Sequence, residues 1–274
     1  MRARALPSPI ARRYAQRMNT TRPWLLFAAL TATACGGAKP AAPMSAAHGP
    51  THRILIATTS HDRKGDTGAP TGAYLAEIAH PYEVFRKAGY EIEFASVKGG
   101  AIPLDGLDQQ DAVSAAFLTS PAGQNLKTSL PSTAIDTSRY DAIFFPGGHG
   151  AMWDLREDKA FAAASAKIYE AGGVVSAVCH GPAALVDIQL STGKYLVDGK
   201  RVNAFTNAEE QAVGLSKVVP YLLEDALKAR GANFESAAMW QPKVVVSDRL
   251  VTGQNPASAA PVAEGVVQLL QRQR

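Results

Sequence analysis

The stretch VVSAVCHGPAAL, residues 174–185, decides how the chain is read. Val174 to Val178 is an apolar, β-branched run that predicts a buried strand, and Gly181 to Leu185 reads as the start of a helix. Cys179 and His180 fall on the turn between them. A nucleophile on a sharp strand-to-helix turn is held in strained backbone above a sheet, beside the helix amides. Those amides and the helix dipole favour an anion, so the thiol pKa is expected to fall. Most free cysteines are small buried fillers; the sequence Cys-His-Gly-Pro at a strand end points to a reactive sulfur instead.

Working outward, FFPGGHG (144–150) ends a second apolar run, Asp141 to Phe145, in a glycine pair whose backbone amides can approach a substrate oxygen closely. Further strands are expected at Arg53–Thr59, Glu91–Ser96, Arg201–Phe205 and Lys243–Ser247. Helices are expected from Pro81 (ended by Gly89), over Phe161–Ala171, and from Pro256 to Leu270. Residues 97–139, rich in Gly, Ser, Thr and Asp, read as an inserted cap, and no internal repeat is present. Strands alternating with helices predict an α/β fold: a flavodoxin-like, doubly wound, mostly parallel sheet with helices on both faces. Its site belongs at the carboxyl ends of the strands, where the two loops would share one crevice.

The chain has 274 residues, 46% of them hydrophobic and 19% charged, which suits a globular protein with a sizeable core. Two cysteines, Cys35 and Cys179, exclude a disulfide-stapled fold and a thiolate zinc site. The formal charge of +4 is local, because six arginines and no acid lie within residues 1–34. The rest carries 22 basic against 24 acidic residues, so a nucleic-acid partner is not expected. Residues 1–34 read as a secretory signal: basic start, an apolar run of about ten residues that is too short to span a bilayer, then small residues. Met18 is an alternative start. The small residues ending at Cys35 resemble a bacterial lipoprotein lipobox, with Ala32 in place of the usual leucine. On that reading Cys35 is lipidated, residues 35–50 are a linker, residues 51–274 form the folded domain, and the protein is exported and anchored to a membrane, facing the periplasm or cell surface. A soluble periplasmic or secreted protein is the second reading.

Five ordered motifs, TGAYLAEIAHPYEVFRKAGYEIEFAS (71–96), FFPGGHG (144–150), AVCHGPAAL (177–185), AFTNAEEQAVG (204–214) and LVTGQNPAS (250–258), resemble the ThiJ/PfpI superfamily. Within it the chain is similar to the chaperone-like glyoxalase III enzymes, often named type 1 glutamine amidotransferase-like proteins. The resemblance implies Cys179 as nucleophile, His180 as its neighbour in a triad, and Glu210 as the acid that orients the histidine, with Glu209 as the fallback. It implies Glu77 as the glutamate bonded to the sulfur, and the amides of Gly148 and His180 as the oxyanion hole. True glutamine amidotransferases place the triad histidine late in the chain. Here no histidine follows His180, so the base is His180 itself or, second, His149, and glutamine hydrolysis is disfavoured. No paired histidine spacing predicts a metal, and no cofactor is expected.

The expected reaction is glutathione-independent conversion of methylglyoxal, a small 2-oxoaldehyde, to lactate through a hemithioacetal on Cys179, or the related repair of glycated proteins. The alternatives are a stress chaperone that binds unfolded proteins, with Cys179 as a redox sensor, and a cysteine peptidase or amidase. A homodimer is expected by analogy with relatives.

Overall fold

The computed structural model describes residues 51–108 and 110–273; the leader, the linker, Cys35 and His48 lie outside the described residues. The frame is a seven-stranded sheet. In chain order its strands are β1 (Arg53–Thr58), β2 (Glu91–Ser96), β3 (Leu130–Pro131), β4 (Ala142–Phe145), β5 (Val174–Val178), β6 (Val244–Ser247) and β7 (Leu250–Gly253). They lie in the spatial order β6-β7-β5-β4-β1-β2-β3, and every pairing is parallel except β6 with β7. The central order β2-β1-β4-β5-β7 is the flavodoxin-like winding, so the expected fold class holds.

Alternation along the strands splits the core in two. Ile54, Ile56, Phe144, Val174 and Val178 face one side, where α1 (Leu75–Lys87) and α5 (Ala259–Arg272) cover them through Leu75, Ile78, Phe85, Val262 and Val266. Leu55, Ile143, Phe145 and Val175 face the other side, against Phe161 and Ile168 of α3 (Lys159–Glu170). Both faces are dry, and truncating one of these fully buried side chains to alanine would cost about 2–5 kcal/mol.

Several elements differ from the sequence reading. The first helix begins at Leu75, and Pro81 lies inside it. Burial of Leu75, Ile78, Ala79 and Phe85 on one stripe outweighs the lost hydrogen bond to the Glu77 carbonyl. Glu77 therefore stands in the first turn of α1, rather than ahead of a helix begun at Pro81. The run Arg201–Phe205 contributes only Arg201–Val202, and to a separate two-stranded sheet with Asn233–Phe234. Residues 97–139 are more than a cap: they supply β3 at the sheet edge as well as α2 (Ala112–Thr119), whose N-cap is Asp111. Strand β7, the parallel neighbour of β5, was not anticipated.

Candidate active site

The chain reverses sharply after β5. The amide of Cys179 donates to Gly253 O at the end of β7 (2.9 Å), and its carbonyl accepts from the Phe205 amide (2.8 Å). Clamped from both sides, Cys179 takes a φ of 59°, the left-handed region that a non-glycine residue occupies only at a cost of about 1–3 kcal/mol. A short 3-10 helix, Gly181–Leu185, follows. Gly181 is required because a Cβ there would lie 2.1 Å from Phe145 O.

The loop after β4 meets this turn. Gly148 has a φ of 94°, and a Cβ on it would lie 2.2 Å from Gly72 O. The Gly147 carbonyl accepts from the Tyr74 amide at 3.0 Å, which ties the loop to the start of α1. From α1, Glu77 reaches inward. It is fully buried, its Oε2 accepts from the Gly147 amide (2.7 Å), and its Oε1 has no nitrogen or oxygen partner. Burial pushes its pKa up to about 8 against the opposing hydrogen bonds of the Gly147 amide and the Cys179 thiol, so at neutral pH it is a carboxylic acid beside the Cys179 sulfur. Tyr74 faces the same pair, and its phenol pKa is raised by burial and then by the nearby Glu77 and Cys179 charges.

The expected fall in the thiol pKa does not occur. Burial first, and then Glu77, push Cys179 well above the usual thiol value. The amides of Gly148 and His180 hydrogen-bond the sulfur and work in the opposite direction without prevailing. Cys179, 4% exposed ahead of the short 3-10 turn, has no solvent to offset desolvation. The resting sulfur is therefore a thiol that must lose its proton when substrate arrives.

His180 offers the acceptor. Its Nδ1 lies 3.4 Å from Cys179 Sγ, and its Nε2 lies 2.8 Å from Glu210 Oε2. Burial lowers the His180 pKa to about 4, while hydrogen bonds from His149 and His180 overcome burial and hold Glu210 down at about 2. Glu210 is thus ionised and His180 neutral. The single imidazole proton belongs on Nε2, facing the carboxylate, which leaves Nδ1 bare toward the thiol. The other Glu210 oxygen, Oε1, bonds His149 Nε2 at 3.1 Å. One carboxylate therefore serves two imidazoles whose rings lie 4.1 Å apart.

Glu209 and Glu210 have different surroundings. Glu209 closes a capping box with Thr206 at the start of α4 (Asn207–Ala212). It also accepts from the Trp240 amide (2.9 Å), Gln254 Nε2 (3.1 Å) and Asn255 Nδ2 (2.9 Å). It fastens three loops together, and Glu210 alone meets His180. The structure thus brings Cys179, His180, Glu210, Glu77 and the Gly148 amide to one point. The sequence reading had His149 only as a second-choice base and missed Tyr74, Phe205 and Trp240. Phe205 lies 4.4 Å from the His180 ring, and the half-exposed Trp240 lies 5.8 Å from Phe205. Residues so far apart in the chain give no spacing signal.

Known proteins share this arrangement of chain. The DJ-1/PfpI family model matches residues 69–269. The chain is 34% identical to Glyoxalase 3 of Candida albicans over 78% of its own length and 97% of the relative's. It is 32% identical to the glutathione-independent glyoxalase HSP31 of Saccharomyces cerevisiae, covering 76% and 93%. The solved structure of the Rapid Encystment Protein 24 kDa of Francisella tularensis superposes with a TM-score of 0.78 at 37% identity, covering 80% of this chain and 99% of that one.

These matches correct the expected location. The relatives are by name glyoxalases rather than envelope lipoproteins, and the family match begins only at residue 69. No helix among the described residues is long and apolar enough to cross a membrane. The export and anchoring reading rested on the composition of residues 1–34 and on Cys35 alone, and it is withdrawn. A family model matching residues 69–269, with relatives above 30% identity covered over nearly all their length, settles the lineage: the chain belongs to the DJ-1/PfpI family.

Proposed function

We propose that this protein is a glutathione-independent glyoxalase that converts methylglyoxal to lactate on Cys179. The observation that carries the reading is the sulfur held at a positive φ, with the bare His180 Nδ1 at 3.4 Å and the acid form of Glu77 on its other side. The curated relatives named as glutathione-independent glyoxalases support the same reaction class.

In this mechanism His180 Nδ1 takes the thiol proton as Sγ attacks the aldehyde carbon, forming a C–S bond. The oxyanion is received by the amides of Gly148 and His180, which already point at the sulfur. The O–H of Glu77 stabilises the sulfur while it carries charge. A base at the site then removes the hydrogen from the former aldehyde carbon, giving an enediolate, and a proton returns to the former ketone carbon. One carbon is oxidised and its neighbour reduced, so no external electron carrier enters. Water cleaves the resulting thioester, releasing lactate and restoring the thiol. Early glycation adducts expose a similar carbon to the same sulfur.

The test is methylglyoxal turnover followed by NMR without glutathione, with wild type and Cys179→Ala. Wild type is expected to yield lactate and the variant none. Undiminished lactate from Cys179→Ala refutes the mechanism, and no lactate from folded wild type refutes the activity.

A further inference from the structure

The pairing of two imidazoles on one carboxylate has a second chemical meaning. His149 Nε2 lies 3.1 Å from Glu210 Oε1, and His180 Nε2 lies 2.8 Å from Oε2. One ligand atom from each of His149, His180 and Glu210 can be chosen so that all lie within 4.8 Å of one another. Tetrahedral zinc with bonds of roughly 2.0–2.2 Å needs ligand atoms about 3.3 Å apart, so small side-chain shifts complete the geometry. Two histidines, one carboxylate and an open fourth position form a recurrent zinc donor set. The side chains of His180 and Glu210 are 1% and 5% exposed, and that of His149 is 16% exposed and offers the way in. Phe205 covers both rings, at 4.4 Å from His180 and 6.1 Å from His149, an apolar wall that limits water.

We propose that His149, His180 and Glu210 bind a borderline divalent cation, Zn2+, and that the bound ion switches Cys179 off. A metal on His180 takes the Nε2 lone pair, so the single proton of the neutral imidazole moves from Nε2 to Nδ1, the atom that faces Cys179 Sγ at 3.4 Å. Nδ1 becomes a donor and can no longer receive the thiol proton. The binding claim stands apart from any activity; the switching claim rests on the reading of His180 as the base for Cys179.

The usual expectation for a cysteine enzyme is the opposite, with zinc captured by the thiol, and this gives the experiment its discrimination. Zn2+ alone is titrated by calorimetry into wild type, Cys179→Ser, His149→Gln and Glu210→Gln, with circular dichroism of each as the folding control. Co2+ spectra serve as the ligand probe. Expected are one zinc per chain with similar affinity in wild type and Cys179→Ser, and no sulfur charge-transfer band with Co2+. Expected too is a weakening in His149→Gln at least as large as the roughly 10- to 100-fold that loss of an outer partner of a metal ligand causes. Zinc should slow iodoacetamide alkylation of Cys179 in proportion to occupancy, with EDTA restoring it. Loss of binding in Cys179→Ser, unchanged binding in both His149→Gln and Glu210→Gln, or no binding at all overturns the site. Binding as expected with unchanged alkylation overturns the switch. None of these readouts uses methylglyoxal, so a failed glyoxalase assay leaves the result intact.

Discussion

Replacing Glu77 with glutamine should make the protein more stable and less active. Glu77 is fully buried, and its pKa is raised from 4.5 to about 8 by desolvation. A raised pKa in the folded state means that the protonated carboxyl stabilises the fold at low pH. That contribution is complete below about 4.5 and is lost as pH rises through about 8. At pH 7 the unfolded chain has already ionised and the folded one has not, which costs about 3 kcal/mol at 1.36 kcal/mol per pH unit; at pH 9 the cost is about 5 kcal/mol, and at pH 5 about 1 kcal/mol. Glutamine keeps the shape: its oxygen can accept from the Gly147 amide, its NH2 can donate to the sulfur, and nothing titrates. Glu77→Gln is therefore expected to gain close to these amounts, melting roughly 6–12 °C higher at pH 7 for a domain of this size. Turnover should fall, because an amide is a weaker donor than a carboxylic acid toward a sulfur carrying charge. Thermal and urea denaturation by circular dichroism at pH 5, 7 and 9, beside methylglyoxal turnover, reads both effects. A gain that does not grow with pH, or a variant less stable at pH 9, refutes the claim that Glu77 is held protonated by burial.

His180 titrates in the opposite sense: its folded pKa of about 4 lies below the ordinary 6.5, so the stability it contributes is present above 6.5 and lost as pH falls through 4. His180→Asn should remove up to about 1.4 kcal/mol per pH unit from the acid limb of a stability–pH curve. Glu209→Ala strands the amides of Thr206 and Trp240 and takes one acceptor from each of the Gln254 and Asn255 side chains, which keep Ala237 O and Gln241 O, and should cost at least about 3 kcal/mol in urea denaturation. Because α4 also carries Glu210, the same variant should lower kcat more than it raises KM. Gly147→Ala places a Cβ 2.6 Å from His180 N and 2.8 Å from Glu77 Oε2, so turnover should be lost, whereas Gly181→Ala, at 2.1 Å from Phe145 O, should fail in expression and folding.

Strand-to-loop boundaries explain how much was legible in the chain. Val174 to Val178 and Ala142 to Phe145 are continuous apolar runs because both faces of a parallel sheet are covered, and such runs announce themselves locally. The glycines and Cys-His that follow mark the carboxyl ends where a site must lie. Where local signals conflict with packing, the reading failed. Pro81 reads as a helix start, yet the buried stripe from Leu75 to Phe85 carries the helix through it. Arg201 to Phe205 has strand composition, but β7 already occupies the place beside β5.

The sequence by itself determined the α/β class and the Cys179–His180 turn, because these depend on short-range patterns of apolar runs, glycines and turn chemistry; the family and the residues expected around the turn came from the resemblance of its motifs. The protonation of the site was decided only by the tertiary structure. Whether Cys179 rests as thiol or thiolate, whether Glu77 keeps its proton, and whether Glu209 or Glu210 meets His180 depend on desolvation and on partners brought from 30 to over 100 residues away. The same holds for the two histidines on one carboxylate, 31 and 61 positions apart in the chain from His149. Solvent exclusion and distance are properties of the folded chain, and no spacing in the sequence encodes them.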